Sequence, residues 1–79
     1  MTAIDLLNQA TTHRNLSLRR SLRARAAGDL ATVAKYATLM LAWEMKARSY
    51  ANAVGTRLVS MTDNPAALVP EIFVSRLPR

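Results

Sequence analysis

The sequence predicts an all-α protein. Its core is a long helical hairpin, at about residues 3–27 and 30–61, followed by a short irregular or partly helical carboxy-terminal segment and completed by self-association into a helical bundle. Three observations predict it. Tyr36, Trp43 and Tyr50 are spaced by seven, and on a helix turning about 100° per residue such side chains return to nearly one direction. Val33, Met40, Ala47, Val54 and Met61 form a second seven-spaced line. It runs three residues ahead of the aromatic line, and the two make the a/d pattern of a helix–helix seam. Finally, Gly28-Asp29 breaks the pattern with a residue that tolerates the left-handed conformation ending a helix and one whose carboxylate caps the next.

Taken in order, Thr2 is an N-cap and Asp5 its capping-box partner, opening helix 1. Ile4, Leu7, Thr11, Leu18 and Leu22 gather on one narrow stripe of that helix. After Gly28, helix 2 runs back against helix 1, and the two would be about 37 and 46 Å long at 1.5 Å per residue. Helix 2 therefore overhangs its mate. It also carries a second apolar stripe, Leu30, Ala34, Ala37, Leu41, Met45 and Val59, so it has more apolar surface than one neighbour can cover. Gly55 weakens the pattern and marks a kink or an early end. Asp63-Asn64-Pro65 stops the helix and can start at most another turn of it, because Pro70 biases Val69 towards extended backbone. Ile72, Phe73, Val74 and Leu77 then suggest an irregular tail. In domain terms this is one unit, a hairpin over 1–62 and a docking segment over 63–79.

A chain of 79 residues supports one small core, to which self-association or docking on a partner adds stability. With no cysteine it has neither disulfides nor thiolate chemistry. Net charge +6 and a pI near 11.2 favour an anionic partner, although an Ala-, Leu- and Arg-rich composition is also what a high-GC genome writes. The amino terminus reads as neither a secretory signal nor a transit peptide, and Arg19-Arg20 precedes too polar a segment to be a twin-arginine signal. Lys35, Glu44, Lys46 and Arg48 interrupt any membrane-length window. A cytoplasmic location is expected.

The basic run Arg14, Arg19, Arg20, Arg23 and Arg25 is the first candidate site. Arginines spread around a helix suit a phosphate-lined groove of DNA or RNA, with Asn15, Ser17 and Ser21 adding hydrogen bonds. The competing reading is a solvated face whose cations favour the carboxy-terminal end of the helix dipole. The second candidate is a protein interface made by Val33, Tyr36, Met40, Trp43, Ala47, Tyr50 and Val54, with Phe73 from the tail. Its rings could also stack on unpaired bases. His13, the single histidine, lacks the convergent ligands of a metal site. Glu44 has Arg48 at i+4 as its expected partner. No catalytic constellation, cofactor motif or small-molecule site emerges. Two functions remain: an oligomeric nucleic-acid-binding accessory or regulatory factor, or a structural or adaptor subunit of a larger assembly such as a virion or secretion complex.

Overall fold

The computed structural model describes residues 1–74. Helix α1 spans Ala3–Ala26, α2 spans Leu30–Val54, strands β1 (Leu58–Ser60) and β2 (Leu68–Pro70) come next, and one turn of helix, α3, covers Glu71–Val74. The predicted hairpin is present. Its caps are those expected from the sequence. Thr2 Oγ1 accepts the Asp5 N–H at 3.2 Å while the Asp5 carboxylate accepts the Thr2 N–H at 3.1 Å, satisfying amides that a helix start otherwise leaves open. Gly28 turns the chain at φ 75, and the Asp29 carboxylate accepts the Thr32 N–H and hydroxyl at 3.2 and 2.6 Å.

Helix α2 is shorter than the predicted 30–61. Gly55 takes φ 85 and closes α2 there, with the Thr56 N–H donating back to Ala51 O at 2.9 Å. A residue with a Cβ resists that conformation, which is why the stop falls on the glycine. Residues 58–60, expected as the end of helix 2, are a strand instead, and with part of the tail expected to be irregular they add a small sheet to the mostly helical chain: Leu58↔Pro70, Val59↔Val69 and Ser60↔Leu68 pair antiparallel. Pro65 and Ala66 lie in the connecting turn rather than in a helix. Pro70 ends β2, where a missing N–H is tolerated. Ile72, Phe73 and Val74 form α3, and Leu77 lies outside the described residues.

A two-stranded hairpin is marginal by itself, and here helix α1 holds it. The Asn15 side chain donates to Leu68 O at 2.7 Å and accepts the Leu68 N–H at 3.0 Å, so one amide acts as a short length of neighbouring strand. The core sits beside this junction. Leu7 and Ala10 of α1 meet Ala47 and Ala51 of α2, with Trp43, Tyr50, Val54 and Leu58 packed around them.

Candidate functional site

The helix–helix seam fixes which side chains remain outside. On α2 it is the predicted one, since Val33, Tyr36, Met40, Trp43, Tyr50 and Val54 are half-buried and Ala47 is fully buried. Ala47, Trp43, Tyr50 and Val54 pack on the core shared with α1 of the same chain, so this part of the expected intermolecular surface is used within the chain. Phe73, half-buried in α3, stands apart from them in the tail. On α1 the seam differs from the predicted stripe. Of the stripe, Leu7 and Thr11 are buried and Leu18 is half-buried, but Ile4 and Leu22 are exposed, and Ala10, Arg14, Ser17, Ser21 and Ala24 are buried instead. Small residues let the backbones approach closely, and Ser21 Oγ donates across the seam to Val33 O at 3.3 Å.

Arg14 is therefore an interior residue, not a phosphate contact. Its guanidinium is held by Glu44 at 3.2 Å, by Asn15 Oδ1 at 3.1 Å and by Ala66 O at 2.7 Å. Glu44 also meets its expected partner Arg48, at 3.6 Å. Asn15, Ser17 and Ser21, offered as additional hydrogen-bonding groups for phosphate, are taken up by Leu68 and by the seam. The remaining members of the run, Arg19, Arg20, Arg23 and Arg25, are exposed. Arg57, far along the chain, is neutralised by Glu71 at 2.7 Å, and the hydrogen bond from Arg57 holds the Glu71 carboxyl below its ordinary value.

The aromatic row lies along one edge of the seam, and cations cluster on it. Arg20 Cζ and Lys35 Nζ each lie 5.7 Å from the centre of the Tyr36 ring. Lys46 Nζ lies 4.8 Å from the centre of Trp43, on which His13 also stacks at 4.6 Å and 20°. A cation over such a ring gains about 0.5–1 kcal/mol at an exposed site, enough to bias a long side chain towards one position. Arg20 and Arg23 also share a shallow depression with Tyr36, Thr32 and Asp29. Among the described residues, Arg19, Arg20, Arg23, Arg25, Lys35 and Lys46 form no ion pair.

Reasoning from the sequence misses Lys35 and Lys46 as site residues. For Lys46 the i+3 step from Trp43 is the available signal, since residues three apart are neighbours on a helix; Lys35, adjacent to Tyr36, carries no such spacing. Chemically, the edge offers fixed positive charge with little competing carboxylate. Among the described residues no three His, Asp or Glu converge as they would around a metal ion. No described helix is long and apolar enough to cross a membrane. The chain matches no family model, no curated protein and no solved structure.

Proposed function

We propose that this protein is a small non-enzymatic nucleic-acid-binding factor, accessory or regulatory in role, that grips the phosphate backbone. The observation that carries the reading is the sorting of its cations. Those paired with carboxylates, Arg14, Arg48 and Arg57, are neutralised within the chain, while Arg19, Arg20, Arg23, Arg25, Lys35 and Lys46 are exposed and unpaired among the described residues. Leaving charges of one sign uncompensated costs self-repulsion, and a polyanion removes that cost. Backbone contact is favoured over base stacking because Trp43 already has His13 on its ring and Lys46 beside it.

Binding through about five phosphates of a duplex gives a slope near −4 to −5 in log affinity against log salt. Arg20→Glu together with Arg23→Glu abolishes salt-sensitive binding of labelled DNA or RNA and leaves the helical circular-dichroism signal unchanged, because both side chains lie outside the seam. Binding that survives the pair of charge reversals overturns the proposal. The second reading, a structural or adaptor subunit, is favoured by a different observation: Leu30, Leu41 and Met45 are 75, 55 and 74% exposed.

A further inference from the structure

The exposed residues of α2 lie in a second seam. Ala31, Ala34, Thr38, Leu41, Met45 and Arg48 alternate in steps of three and four, the spacing of a helix–helix contact, and all six are exposed. This seam points away from α1, whose contacts occupy Val33, Trp43, Ala47 and Ala51. Its one hydroxyl is turned inward, as Thr38 Oγ1 donates to Ala34 O at 3.0 Å, so the surface towards solvent is apolar from Leu30 to Met45.

We propose that a second copy of the chain docks here, its α2 antiparallel to the first about a two-fold axis beside Thr38. The distribution of side-chain size selects this occupant and this direction. Within the six, large residues, Leu41 and Met45, stand on one side of Thr38 and small ones, Ala34 and Ala31, on the other, with Leu30 beyond them at the first residue of the helix. In the antiparallel register Leu41 of each copy meets Ala34 of the other, and Met45 meets Ala31. Thr38 meets itself. The same register keeps the two Arg48 side chains, each 62% exposed, at opposite ends of the contact. A parallel pair would instead stack Leu41 on Leu41, leave a gap between facing alanines and oppose two arginines. A two-fold interface must be self-complementary, and the antiparallel register is the one in which large side chains meet small ones and the arginines stay apart.

From Ala31 to Arg48 the contact extends along about 26 Å of helix at 1.5 Å per residue, at or below the roughly 800 Å² per partner of a standard interface. The dimer is accordingly concentration-dependent. Sedimentation of the full chain without nucleic acid, from micromolar to millimolar concentration, shows a monomer–dimer equilibrium. Leu41→Glu weakens it by at least about tenfold, or 1.4 kcal/mol, with helicity retained, because that side chain touches nothing inside the protomer's core.

The absence of cysteine permits a second readout. Thr38→Cys forms a disulfide-linked dimer on oxidation, and Ala31→Cys alone does not. A mixture of Ala31→Cys and Met45→Cys does. A wild-type chain that stays monomeric throughout assigns the stripe to a different protein and overturns the proposal, as does a dimer indifferent to Leu41→Glu or self-linkage of Ala31→Cys. The test is independent of nucleic-acid binding, so either proposal can fail alone.

Discussion

At the scale of single residues, Arg14 shows how one side chain can leave a surface motif and become internal. It is 8% exposed, and its planar fork reaches Glu44, Asn15 and the Ala66 carbonyl at once. It thereby ties α1, α2 and the turn before β2. Arg14→Ala strands Glu44 and the Ala66 carbonyl with part of their hydrogen bonding lost. We expect a cost of about 2–3 kcal/mol in urea unfolding, between the loss of one buried hydrogen bond and of a whole buried pair. Arg14→Lys recovers little, because an ammonium cannot span the same three acceptors; full recovery would contradict the clasp. The sequence does not reveal this role. Arg14 stands in a run with Arg19, Arg20 and Arg23, and nothing local distinguishes the buried arginine from the exposed ones. Its acceptors are 30 and 52 positions away, and such contacts are set by tertiary packing.

At the scale of elements, the starts and stops are legible because they depend on local chemistry. Thr2 with Asp5, Gly28 with Asp29, and Gly55 each satisfy or terminate backbone bonding within a turn. The seam of α2 is legible for a similar reason, since bulky residues repeat by seven. The seam of α1 is hidden by its residue types. Leu7, Arg14 and Ser21 repeat by seven, as do Ala10, Ser17 and Ala24, but a hydropathy stripe passes over serine and arginine. Spacing of small residues is the better guide where helices approach closely. The sheet is hidden too. Three-residue strands carry little periodicity, and β2 is held by the Asn15 amide in α1.

The caps give this scale its own prediction. Hydrogen bonds from the Thr32 hydroxyl and then the Thr32 N–H hold the Asp29 carboxyl below its ordinary value of 3.8. A lowered value means that the ionised cap stabilises the fold fully above the ordinary range and that this contribution disappears as pH falls through the folded value. Asp5 is lowered in the same sense, by Thr2, and Glu71 by Arg57. The melting temperature of wild type therefore falls as pH drops below about 4. Asp29→Asn, which keeps a capping oxygen without its charge, shows a smaller fall. An identical acid profile for the two proteins would mean that the Asp29 charge contributes nothing to this loss.

At the scale of the whole molecule, the hairpin and its tail occupy 38 × 28 × 17 Å, and two kinds of surface are left over. One is the cationic edge beside Tyr36 and Trp43, the other the apolar stripe through Leu41 and Met45. Both are half-visible in the sequence. The net charge is plain, but which cations are spent on carboxylates is not. Helix α2 is evidently apolar on two sides, yet the choice of side for α1 depends on the seam that hydropathy misses. The central claim is that the unpaired cations meet phosphate. The most direct test is the slope of log affinity against log salt for a duplex, measured for wild type and for Arg19→Gln, Arg20→Gln, Arg23→Gln and Lys46→Gln. We predict a wild-type slope near −4 to −5 that flattens by about 0.9 for each phosphate contact removed; a slope near zero, or one that no neutralisation changes, would contradict it.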